Sequence, residues 1–84
     1  MTKLLVFDKT QHTEVDIDMS GLRVDGLAPQ SARRAAFIAN MLPCWVTDGT
    51  RIYRVTRGLI NIWSVERLRV RELLTMIEWI NQND

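Results

Sequence analysis

Two rhythms of apolar residues run along this 84-residue chain. From Glu14 to Met19 polar and apolar residues alternate without a break, which puts Val15, Ile17 and Met19 on one side and Glu14, Asp16 and Asp18 on the other. Period two is the pattern of a strand with one wet face. Ahead of it, Leu4-Leu5-Val6-Phe7 is a β-prone run, and the polar stretch Asp8 to His12 separates the two, so the first two strands are expected to form a hairpin. In the second half, Cys44–Thr47, Thr50–Thr56 and Leu59–Trp63 are β-prone, divided by Asp48-Gly49 and Arg57-Gly58. Asp-Gly between two such runs predicts a tight turn with positive φ at both central positions.

The helical rhythm occurs twice. Pro29 and Ser31 mark a start, with serine as the expected cap, and residues 30–42 then gather Ala32, Ala35, Ala36 and Ala39 on one side of a helical projection. Pro43 is expected to end that helix, because its ring disfavours helical geometry one residue earlier. The second helix is expected from about Val65 to Asn81, capped by Ser64. Its main apolar stripe reads Val65, Leu73, Met76, Ile77 and Ile80, with Leu68 and Trp79 on a separate line. Ser20-Gly21 and Asp25-Gly26 are turn signals, and Leu22 and Val24 between them suit a very short additional strand. The order is therefore β-β-(β)-α-β-β-β-α. It implies a single α+β domain over residues 1–84, with an antiparallel sheet of about four to six short strands and two helices packed on one face.

Composition agrees with a folded chain. Hydrophobic residues make up 46% and charged residues 25%, well away from the low hydrophobicity and high net charge of disorder. The core of so short a chain is small, and homodimerisation is one way to add buried area. No apolar run reaches the roughly 20 residues that a membrane helix needs, and the N-terminal run is too short for a signal peptide, so a cytoplasmic protein without membrane contact is expected.

The net charge of +1 hides a strong segregation. Residues 1–30 sum to −2, residues 31–71 carry eight arginines against Asp48 and Glu66 for +6, and the remainder sums to −3.

Catalytic chemistry is sparse. His12 is the only histidine and sits in a polar loop, where a solvated side chain is expected. Cys44 is the only cysteine, so no intramolecular disulfide or thiolate-pair zinc site can form, and a small buried hydrophobe is the expected role. Glu14, Asp16 and Asp18 form a one-faced acidic row, which on a sheet edge guards against unwanted strand pairing. The four glycines are isolated and build no phosphate loop. No enzyme, cofactor or metal centre is expected from these residues.

The binding candidates lie in the basic middle. Arg51, Tyr53, Arg54 and Arg57 sit on one strand, and Arg33, Arg34, Arg67 and Arg71 are candidates to extend that surface. Leu68 and Trp79 form a candidate interface line off the main stripe, since tryptophan, tyrosine and arginine dominate interface energetics. The expected function is a non-enzymatic protein-interaction domain: a small adaptor, inhibitor or accessory factor of the kind phages and mobile elements carry, acting on a larger protein. The alternative is a nucleic-acid-binding regulator that uses residues 51–57 and the helix arginines to reach phosphates and stack on bases. Arg69 projects onto the apolar face of the second helix and is expected to snorkel, to pair with an acid or to face a partner.

Overall fold

A computed structural model of the chain describes residues 2–18 and 26–82. Five strands and two helices follow one another: β1 (Thr2–Phe7), β2 (His12–Ile17), α1 (Pro29–Ala39), β3 (Cys44–Thr47), β4 (Ile52–Val55), β5 (Ile60–Trp63) and α2 (Val70–Gln82), with a single 3-10 turn at Val65–Arg67 before α2. The strands form one antiparallel sheet in the order β2-β1-β3-β4-β5. The α+β class, the element order and the hairpin of β1 with β2 are as the sequence implies. The short strand expected at Leu22 and Val24 lies outside the described residues.

The helices do not share a face. Leu4 and Val6 pack with Val15, Ile17, Val46, Tyr53 and Val55 under the alanines of α1. Leu5 and Phe7 pack on the other side with Trp45, Ile52, Leu68, Met76 and Trp79 under α2. Successive strand residues point to opposite faces, so β1 feeds two separate cores, and the expectation of one covered face is corrected. The sequence carries the physical reason. Leu4 to Phe7 and Cys44 to Thr47 are buried at every position, and a strand with one wet face would show alternation there.

Local chemistry sets the connections. Asp8 closes the β1–β2 loop: its Oδ1 accepts from the amides of Thr10 (2.8 Å) and Gln11 (2.9 Å). Between β3 and β4, Thr47 pairs with Ile52, which leaves a four-residue loop rather than the expected two-residue turn. Asp48 Oδ1 accepts from the amides of Thr50 and Arg51, both at 2.8 Å, and Gly49 takes the positive φ (98°) alone.

α1 begins with Ala28 as the flanking residue and Pro29 in the first turn. Ser31 is buried instead of capping, so the expected serine cap is corrected. Asn40 at φ 54° ends the helix in left-handed geometry, and the Met41 amide reaches back to the Ala36 carbonyl (3.1 Å). Termination thus falls to Asn40, three residues before Pro43.

α2 begins five residues later than the sequence suggests. Ser64 caps only the 3-10 turn, accepting from the Glu66 amide (3.3 Å), and Leu68 is extended. Of the expected stripe, Leu73, Met76 and Ile80 pack into the core under this helix, while Val65 stays in the 3-10 turn and Ile77 is exposed. The buried face of α2 is Glu72, Met76 and Trp79, while Val70, Leu74 and Ile77 are exposed. Glu72 lies in the first turn, where unpaired amides and the helix dipole favour negative charge.

Candidate interaction surface

The sheet register sorts the arginines. Tyr53 lies opposite Ile62 and Val46 on the α1 face, and Arg54 lies opposite Asn61 and Trp45 on the α2 face. On the α1 side, Arg51 Nη1 reaches the Leu27 carbonyl (3.4 Å) and Arg33 Nη2 reaches the Arg57 carbonyl (3.1 Å). On the α2 side, the Arg54 guanidinium sits 4.1 Å from the Trp45 ring centroid, and that of Arg67 sits 3.8 Å from the Trp63 centroid. Trp45 meets Trp63 edge-on and stacks on Phe7. Arg34, Arg69 and Arg71 are exposed. The eight candidates therefore do not converge. Those with placed contacts divide between the two faces of the β4–β5 half of the sheet, Arg33, Arg51 and Tyr53 on one and Arg54 and Arg67 on the other, and Arg69 is exposed.

Three candidates are structural. Tyr53 is buried and its hydroxyl donates to the Leu27 carbonyl (2.8 Å), so its ring is not presented to a partner. Leu68 and Trp79 are only 8% and 7% exposed and belong to the core under α2, which corrects the interface line drawn through them. The Trp79 indole N–H donates to Glu14 Oε1 (2.7 Å), tying α2 to β2.

The feature that sequence reasoning missed is the outer edge of β5. The Thr56 amide donates to the Leu59 carbonyl (2.9 Å), so Thr56 and Leu59 are a hydrogen-bonded pair of the β4–β5 hairpin. Alternation along an antiparallel ladder then turns the N–H and C=O of Asn61 and Trp63 toward β4, and those of Ile60 and Ile62 outward. Among the described residues no strand covers that outer row. Ile62 is 77% exposed and Leu59 57%. Leu59 to Trp63 contains no charge and no proline. The opposite edge, β2, carries Glu14 and Asp16, the usual guard for a free strand. The signal is present in the sequence as a charge-free run, but which strands are edges depends on the sheet order.

Elsewhere the surface offers little chemistry. A cavity of about 310 Å³ opens beside Asp8, Lys9, Pro43, Trp45 and Arg54. Partial burial pushes the Asp8 carboxyl up, but the amides of Thr10 and Gln11, then their side chains, outweigh it and hold the carboxyl below its ordinary value. Cys44 is fully buried on the α1 face, and burial raises its thiol to about 11 despite the Arg54 charge. A thiol so placed is a poor nucleophile. Among the described residues no cluster of histidine, cysteine and acids could hold a metal, and no helix is long and apolar enough to cross a membrane. Comparison of the chain with protein-family models, curated proteins and solved structures gave no match.

Proposed function

We propose that this chain is a non-enzymatic protein-interaction domain that binds a larger protein through the β5 side of its sheet. The observation that carries this reading is the unguarded edge. Monomeric domains blunt their free strands with charge, proline or a covering segment. Here Leu59 and Ile62 stand exposed beside outward-facing amides at Ile60 and Ile62. The arginines around that edge suit an interface as well, since arginine is enriched there and tolerates desolvation better than lysine. Nucleic-acid binding has less support. The cations face two directions, and the one tyrosine offered for base stacking is buried.

The test compares tagged wild type with Ile62→Asp in copurification from native extract, with partners quantified by mass spectrometry. A stoichiometric partner held by wild type and lost from Ile62→Asp, with unchanged circular dichroism, is the expected result. Identical partner profiles for the two proteins would sink the proposal. A parallel anisotropy titration with labelled DNA and RNA at low and moderate salt addresses the other reading. Tight, steeply salt-dependent binding there would replace protein binding as the better account.

A further inference from the structure

Resting on the reading of β5 as a binding edge, we infer that the occupant is an extended acidic segment of another protein. It would add to the sheet as a sixth strand, with apolar and acidic residues in alternation. Three features of the edge specify that pattern.

The first is the backbone. Ile60 and Ile62 present two donors and two acceptors in extended geometry, which an incoming strand satisfies without rearrangement of β4 or β5. The second is the α1 face. Ile62, opposite Tyr53, and Ile60, opposite Val55, lie there, and Ile62 is largely uncovered. A residue of the added strand set beside Ile62 on this face extends the apolar surface of the α1 core, so apolar residues are favoured there.

The third feature is charge, and it selects the partner. On the α2 face the same edge displays Asn61 and Trp63. Arg67 lies across the Trp63 ring at the edge itself, while Arg54, one strand further in and opposite Asn61, lays its guanidinium inward over Trp45. Residues of the incoming strand that point to this face meet the Arg67 cation beside Trp63, so acids are favoured on this side of the strand. Residues 51–71 carry six arginines against Glu66 alone. A second copy of this chain paired edge to edge through β5 would bring two such basic regions together, which disfavours self-pairing. An acidic strand neutralises them.

The experiment uses the full chain, isotope-labelled, and a soluble synthetic peptide of alternating glutamate and valine, seven residues long. Backbone amide shifts and hydrogen exchange are followed on titration. The expected result is binding that shifts and protects the Ile60 and Ile62 amides. Binding should weaken with salt and weaken at least tenfold for the peptide with lysine in place of glutamate. Ile62→Pro removes one outward amide without touching the β4 ladder, and it should abolish the protection. Ile62→Asp sets a carboxylate against the apolar residue of the incoming strand on the α1 face, and it should abolish the same protection if the proline variant does not fold.

Lack of any response at β5 overturns the inference. Equal binding of the two peptides overturns its charge argument. Concentration-dependent self-association that protects the same two amides overturns it in favour of a second copy. A response confined to another surface overturns the acidic strand as the occupant, while β5 as a protein-binding edge stands or falls on the copurification with Ile62→Asp, so the two proposals fail separately.

Discussion

Replacing Trp79 gives the sharpest test of how the second core is built. Its indole is buried among Leu5, Phe7, Trp45 and Met76, and its N–H donates to Glu14 at 2.7 Å. Truncating a buried tryptophan to alanine costs about 3–5 kcal/mol. A domain of this size holds roughly 3–5 kcal/mol in total, so Trp79→Ala should be largely unfolded in buffer at 25 °C. Trp79→Phe separates the two contributions. It keeps an aromatic ring in place and deletes the N–H, while Glu14 remains exposed enough to be hydrated. The cost expected is about 1–2 kcal/mol for a hydrogen bond to a charged acceptor plus some lost packing. With a urea slope of about 1 kcal/mol/M, the unfolding midpoint should fall by about 1–2 M. Glu14→Gln, alone and combined with Trp79→Phe, closes a double-mutant cycle in which coupling near 1 kcal/mol is expected. The assay is far-UV circular dichroism in urea, since tryptophan fluorescence changes with the substitution itself. An unchanged midpoint for Trp79→Ala would refute the placement of this side chain and return it to the surface.

Four further expectations follow from local geometry. Tyr53→Phe removes the buried bond to the Leu27 carbonyl and should cost about 1 kcal/mol, with faster amide exchange at the start of α1 as the accompanying sign. Asn40→Gly relieves a left-handed residue and should match or exceed wild-type stability, whereas Asn40→Val should lose about 1–2 kcal/mol; thermal melts of both check the sign. Cys44 should react with maleimide at pH 7.5 only as fast as the domain opens, so labelling that is equally rapid in buffer and in urea would contradict its burial. Asp8 has a folded-state pKa below its ordinary 3.8, so its contribution is complete above that value and fades as pH falls through the lower one. Asp8→Ala should accordingly destabilise the domain at pH 7 and show a smaller stability difference from wild type below about pH 4 in acid titrations followed by circular dichroism.

Where sequence reasoning succeeds, a local rule is decisive. Strict alternation from Glu14 identifies β2, and the turn residues around Gly49 and Gly58 separate β3, β4 and β5. It fails where the answer depends on three dimensions. The expected stripe of α2 is rotated toward Ile77, because the side of the helix that is buried is set by packing on Leu5, Phe7 and Trp45, which centres it on Glu72, Met76 and Trp79. Glu72 is not legible as a buried residue, since a carboxylate reads as surface unless the helix start is known. The arginines look like one surface because they are close in sequence. Their division follows from strand alternation together with helices on both sides of the sheet. The β5 edge is invisible for a related reason: neutrality from Leu59 to Trp63 suits an interior strand as well as an exposed one.

The strand order carries a kinetic consequence. The sheet consists of two meanders, β1-β2 and β3-β4-β5, each closed by short loops. They meet along one seam, where Leu5, Val6 and Phe7 face Thr47, Val46 and Trp45. Every other strand pairing is local, so this single zone sets the entropic barrier to folding, because the whole of α1 lies in the loop it closes. Truncations at Val6 or Val46 should therefore slow refolding.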